Sequence, residues 1–207
     1  MCKLGLIVNP VAGIGGRVGL KGSDGTEIQR RALELGAEPR ASGRASLALE
    51  RLRAVPDLEI VTYPGEMGET AARASGFEPT VIGTIEPGST TAEDTVTAAR
   101  DLHHWGIDLL LFAGGDGTAR DIYRAIGEKL PVLGIPAGVK IHSAVYATSP
   151  ASAGSLAALF LRGRVTSLHE AEVLDIDEEA FRSGSVSAKL YGYLRIPFRT
   201  SLLQNQK

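Results

Sequence analysis

Leu109-Leu110-Leu111-Phe112-Ala113, running straight into Gly114-Gly115-Asp116-Gly117-Thr118, is the stretch whose reading decides the fold. Five apolar residues in a row do not alternate, so both faces of such a strand must be covered. That is the condition of a central parallel strand with helices on either side. Beyond the glycine-rich turn, Ile122, Tyr123 and Ile126 recur at helical spacing and predict a helix from about Ala119 to Ile126, followed by a strand from Pro131 to Ile135. Upstream, Ala92, Val96, Ala99 and Leu102 mark another helix, with capping-box spacing at Thr90 and Glu93 and a stop at Gly106.

The same order repeats toward the N-terminus. Leu4 to Val8 reads as a buried strand stopped by Asn9-Pro10, and a long loop carrying Gly13, Gly15, Gly16, Gly19, Gly22 and Gly25 follows it. Helices are expected from about Thr26, with Gln29 at capping-box distance, to Gly36, and from Ala45 to Val55. Leu58 to Thr62 is a strand, Glu66 to Ser75 a helix ended by Gly76, and Thr80 to Ile82 a weaker third strand. Ser149-Pro150 pairs an N-cap with proline at the first helical position and opens a helix ending at Gly163. After it Glu172 to Ile176 and Lys189 to Ile196 read as strands, and a boundary falls near Val165. The fold expected is α/β: an open parallel, Rossmann-like sheet with helices on both faces over 1–164, then the first strands of a β-rich second domain over 165–207.

Composition bounds the function. The chain has 207 residues, and its 25 glycines, about one in eight, follow no collagen-like period, so many are expected in turns and close-approach loops. A formal net charge of -2 and a pI near 6.1 give no footprint for a nucleic-acid surface. The single cysteine, Cys2, suits a reducing compartment. The longest strongly apolar stretch, Ile107 to Ala113, is too short to cross a bilayer, and Asn9-Pro10 arrives too early for a secretion signal. A cytoplasmic location without membrane or nucleic-acid partners is expected.

A strand entering Gly-Gly-Asp-Gly-Thr and then a helix sets backbone N–H groups at the carboxyl edge of the sheet, where open α/β folds bind ligands. The glycines let a phosphate approach, and the helix N-terminus favours negative charge. Asp116 is the exception, because a carboxylate beside a phosphate is repulsive unless it handles Mg²⁺ or activates a hydroxyl. Both roles belong to phosphoryl transfer; the plain alternative is a helix cap in a common Asp-Gly turn. Residues 136–149 lack periodicity and are expected to form a structured loop at the same edge. Lys140, His142 and Ser143 are its candidate contacts, with Lys140 suited to phosphate and His142 read first as a packed, hydrogen-bonded histidine. His103-His104 suit a helix C-terminus rather than a metal site, and no metal-ligating residue is assigned.

Gly114 to Thr118 matches the signature of the superfamily of NAD kinases, diacylglycerol kinases and phosphofructokinases. Two further stretches, Asn9-Pro10-Val11-Ala12-Gly13-Ile14-Gly15-Gly16 and Gly134-Ile135-Pro136-Ala137-Gly138-Val139-Lys140-Ile141-His142-Ser143, resemble its ATP-NAD kinase or AcoX-type branch. The resemblance implies an enzyme that uses ATP and Mg²⁺ to phosphorylate the 2′-hydroxyl of the adenosine ribose of NAD, giving NADP. It implies Asp116 as the residue that orients or deprotonates that hydroxyl. Gly114, Gly115, Gly117 and Thr118 would shape the phosphate site, with Gly138 and Lys140 beside it, and Asn9, Gly13, Gly15 and Gly16 would form the facing nucleotide loop. Arg17 and Lys21 in that loop read as solvated charges. The implied partners are small-molecule nucleotides and further copies of the chain. Ala119-Arg120-Asp121-Ile122 stands where lipid kinases show a Leu-Asn-Glu-Val-like run, which argues against a lipid acceptor. The usual Asn-Asp or Asn-Glu pair for the NAD ribose is missing; Asp121 and Asp175 are the substitutes at hand. Two other readings stay open: a nucleotide-binding regulatory module without turnover, and a kinase of another small hydroxyl compound. The resemblance also implies a second domain longer than the residues after 164, so a truncated chain is expected.

Overall fold

The computed structural model describes residues 2–19, 26–138, 141–176, 188–199 and 201–203. Five parallel strands form one sheet: β1 (Cys2–Val8), β2 (Leu58–Thr62), β3 (Thr80–Val81), β4 (Leu109–Gly114) and β5 (Val132–Pro136), in the spatial order β3-β2-β1-β4-β5. The helices are α1 (Ile14–Arg17), α2 (Thr26–Glu34), α3 (Ala41–Leu49), α4 (Glu69–Ala74), α5 (Ala92–Trp105), α6 (Asp116–Ile126) and α7 (Pro150–Leu161). The chain lays down β1, β2 and β3 toward one edge, then returns to place β4 on the other side of β1. This reversal opens a crevice at the carboxyl ends of β1 and β4, which run in register from Leu4 beside Leu109 to Val8 beside Ala113.

β4 is buried at all six positions and β5 at all five, as unbroken apolar runs require. Leu4, Leu6, Ile7, Val8, Leu109 to Ala113 and Leu133 form the centre of the core, with α3 and α7 packed together on one side. That crossing is close: a Cβ on Gly154 of α7 would stand 2.0 Å from the backbone oxygen of Ala48 in α3. The remaining strands, β6 (Leu168–Ile176) and β7 (Ala188–Pro197), form an antiparallel hairpin. Ala171, Val173, Leu194 and Ile196 from this hairpin join the same hydrophobic core, and β6 packs against α6. Among the described residues no helix is long and apolar enough to cross a membrane.

Several boundaries differ from expectation. α3 starts at Ala41 and passes into a 3-10 turn at Glu50–Leu52, because burial of Ala41 and Ala45 overrides the low helical propensity of Ser42 and Gly43. The helix expected from Glu66 to Ser75 is split into a 3-10 turn, Gly65–Met67, and α4. Gly68 separates them at φ 147, where a Cβ would lie 2.1 Å from Thr62 Oγ1. The capping box of α5 is Thr91 with Asp94, one residue beyond the expected pair; Thr90 is buried instead. The stop at Gly106 and the Ser149 cap are as read, with Ser149 Oγ accepting from Ser152 N at 3.1 Å. For α2 the start at Thr26 agrees, while the side chains of Thr26 and Gln29 fall outside the described set, as do residues 20–25 with Lys21, Gly22 and Gly25.

Candidate active site

The site lies at the carboxyl ends of β1, β4 and β5. α6 begins at Asp116, three residues before the expected Ala119, so Asp116, Gly117 and Thr118 form a first helical turn rather than a loop. Gly115 is the N-cap and no side chain caps the helix. The Asp116, Gly117 and Thr118 N–H groups therefore have no intrahelical acceptor and point out of the positive end of the helix. Gly115 at φ -123 and Gly117 need no left-handed backbone. A Cβ at Gly117 would meet nothing nearer than Asp175 Oδ2 at 3.8 Å, and one at Gly115 nothing nearer than Gly138 Cα at 3.6 Å. Neither backbone conformation nor protein packing demands glycine there, which leaves room for a ligand to press against the turn. Gly114 is different: its Cβ would collide with the Thr118 side chain.

Three stretches far apart in sequence meet here. Asn9 Nδ2 donates to Thr118 Oγ1 at 2.9 Å while Asn9 Oδ1 accepts from Val11 N at 3.1 Å, tying the first loop to α6. Gly13, at φ 73, sits so close to the connection after β5 that a Cβ would lie 2.6 Å from Ala137 O. Ala137 N and Gly138 N both donate to Gly114 O, at 2.9 and 3.2 Å. Gly15 and Gly16 lie within the four-residue α1 rather than in an open loop, and Arg17 closes it. Lys140 falls outside the described residues.

Asp116 does not cap its own helix. Oδ2 accepts from His142 N at 2.8 Å and from His142 Nδ1 at 3.0 Å, and Oδ1 accepts from Ser143 N at 3.0 Å. Three of its four lone-pair directions are thereby occupied by N–H groups. Ser143 Oγ in turn donates to Leu174 O at 2.7 Å and accepts from Leu174 N at 3.0 Å, which pins the segment to β6. The expected packed histidine is thus half of what is found: His142 is hydrogen-bonded through Nδ1, yet its side chain is 30% exposed while that of Asp116 is only 6% exposed.

Other polar residues gather at this edge, of which Tyr146 and Arg44 carry no local sequence signal. Tyr146 OH donates to Gly115 O at 2.6 Å; burial, with the negative charges of Asp116 and Asp175 adding to it, pushes its hydroxyl well above the usual tyrosine range. Arg120 Nη1 pairs with Asp175 Oδ2 at 2.8 Å beside Gly117. Asp121 is buried on α6, near the Arg120 guanidinium at 3.7 Å. Arg44 reaches across from α3 and donates through Nη1 to Pro136 O at the end of β5. Among the described residues no group of three or more His, Cys, Asp or Glu side chains is placed to hold a metal ion.

The family model for the ATP-NAD kinase N-terminal domain matches residues 4–165. The chain belongs to the ATP-NAD kinase N-terminal domain family. Its matched residues end where α7 gives way to the hairpin, and they contain all three converging stretches. No curated protein matches the chain. Two solved structures from Bacillus anthracis str. Sterne are similar to it, one described as a candidate diacylglycerol kinase and the other as a diacylglycerol kinase. They are 16% and 17% identical, with TM-scores of 0.42 and 0.39. The alignments cover 84% of this chain in each case and 45% and 47% of the neighbours. The chain thus spans under half the length of these solved relatives.

Proposed function

We propose that this chain is a phosphotransferase that moves the γ-phosphoryl group of ATP to the 2′-hydroxyl of NAD. The observation that carries the reading is the uncapped first turn of α6. Its glycines are required by nothing in the protein, and it is ringed by two other family-matched stretches at the sheet reversal. Phosphate oxygens accept hydrogen bonds from the 116–118 N–H groups and gain from the helix dipole. Gly117 admits them where any side chain would intrude. Asn9 and Thr118 hold the first loop against that turn, and Arg44 brings a guanidinium to the same edge. Mg²⁺ bound to the nucleotide would neutralise phosphate charge. Catalysis on this reading consists of positioning and electrostatic stabilisation.

The acceptor is the finer part of the proposal. It rests on the family match alone, with Asp121 and Asp175 as the carboxylates taken to meet ribose hydroxyls. Incubating the chain with ATP, Mg²⁺ and NAD and quantifying NADP and ADP tests it: stoichiometric formation of both is expected. ADP released with a different hydroxyl acceptor and not with NAD would keep the kinase and replace the substrate. No ADP with any acceptor would overturn the kinase reading.

A further inference from the structure

We infer that Arg120 is a phosphate contact of this site and that Asp175, from the hairpin, positions it; the inference rests on the phosphate-binding reading above. Arg120 lies three residues after Gly117 on α6. Long side chains on a helix turn back toward its N-terminus and cover the residue three or four positions earlier. Arg120 does so: a Cβ on Gly117, the spot left for a phosphate, would lie 3.9 Å from Arg120 Nη2. The groups around the guanidinium fix its plane. Nη1 donates to Asp175 Oδ2 at 2.8 Å, Nε lies 3.7 Å from Asp121 Oδ1, and the Tyr191 ring of β7 is 5.8 Å from Cζ. The side chains of Asp121 and Asp175 are 11% and 16% exposed against 27% for Arg120, so the cation is the member of the cluster that an incoming ligand reaches most easily.

A carboxylate so near the turn would by itself oppose a phosphate, since Asp175 Oδ2 is 3.8 Å from the same Cβ position. Two cations offset the two carboxylates: Arg120, and Lys189, which stands opposite Asp175 across the hairpin. A guanidinium carries five N–H donors in a planar fork, so one edge can hold Asp175 while another meets a phosphate oxygen. The hairpin is also seated at a fixed distance from α6. Gly192 of β7 lies so close to that helix that a Cβ would stand 2.1 Å from Tyr123 Cζ, and β6 packs against the same helix. Asp175 lies beyond the family-matched residues 4–165, so a residue of the hairpin sets the aim of a group at the phosphate turn.

The test is calorimetric titration of the whole chain with ATP and Mg²⁺. Arg120→Gln should raise the Kd for ATP by about 10- to 100-fold, the loss expected for one hydrogen bond to a charged group. That variant leaves Asp175 without its cation, so Arg120→Gln combined with Asp175→Asn is the second arm. The double variant removes both charges and lets the fold settle, yet it should still bind ATP at least about tenfold more weakly than the wild type. In ¹⁵N spectra of the wild type, the Arg120 guanidinium resonances should shift with ATP and stay in place with adenosine. In Asp175→Asn the two Nη signals, distinct while the ion pair stops rotation about Cζ, should merge. Wild-type ATP affinity in the double variant, guanidinium resonances that ignore ATP or respond equally to adenosine, or unchanged Nη signals in Asp175→Asn overturn the inference and leave the kinase reading in place. A wild type that binds no ATP overturns both.

Discussion

Gly117 is the residue at which protein stability and ligand binding part company. It sits in the first turn of α6 with ordinary helical space around it, so alanine there should raise helix stability by up to about 1 kcal/mol. The same methyl group would occupy the place proposed for phosphate, and ATP binding should weaken by about tenfold, or about 1.4 kcal/mol. Urea midpoints and calorimetric titration of Gly117→Ala measure the two effects separately; equal ATP affinity in variant and wild type would remove Gly117 from the site. Asp116 behaves in the opposite way. Replacing it by Asn sets an NH₂ group against N–H donors from residues 142 and 143, so Asp116→Asn should lose about 1–3 kcal/mol of stability. A urea midpoint equal to that of the wild type would contradict the hydrogen-bonding described. Asp116 could be singled out from the sequence because a carboxylate in a glycine turn is anomalous. His142 could be placed at the same sheet edge, but its pairing with Asp116 could not be read, since the two lie 26 residues apart and no spacing rule connects a helix start to a loop across that edge.

Among the elements, the central strands were the most legible and helix starts the least, while β6 begins at Leu168, four residues before the expected Glu172. β2 has the expected limits, and β4 extends only to Gly114, because unbroken apolar runs between turn residues have few other uses. The start of α5 was ambiguous for a simple reason: Thr90 with Glu93 and Thr91 with Asp94 have the same spacing, and burial of Thr90 decides between them. The start of α6 was misplaced because glycine and aspartate read as turn formers, while a helix first turn tolerates both. Close helix crossings leave even less trace. Gly154 looks like an unremarkable small residue, yet its missing side chain sets the contact of α7 with α3. Gly154→Ala should therefore cost about 1–3 kcal/mol despite the gain in helix propensity, read as a lower urea midpoint. An unchanged or higher midpoint would mean that the two helices can separate freely.

At the scale of the molecule, the strand order β3-β2-β1-β4-β5 brings the loop after β1 and the first turn of α6 to one crevice. The repeated β-α-β pattern predicted the sheet, and the three motif stretches meet at one edge of it. The clasp formed there by Asn9, Thr118, Asp116, His142 and Ser143 appears only when the chain is folded. Tyr146 links that edge to the interior through Gly115 O, and its alkaline behaviour reports on the link. A tyrosine held neutral by burial contributes stability that is complete below its ordinary pKa of 10.0 and is lost as pH rises above it. Tyr146→Phe should thus be less stable than the wild type by about 1 kcal/mol at neutral pH, with the gap closing above pH 10. Parallel stability curves across that range would contradict it.

The central claim is that three stretches distant in sequence form a single nucleotide-phosphate site. An amide-resolved NMR titration of the chain with Mg²⁺ and ATP tests it most directly. The account predicts that resonances of residues 9–13, 115–118 and 141–143 shift together along one binding curve. Shifts confined to one of these stretches, or clustered at the opposite end of the sheet, would contradict it.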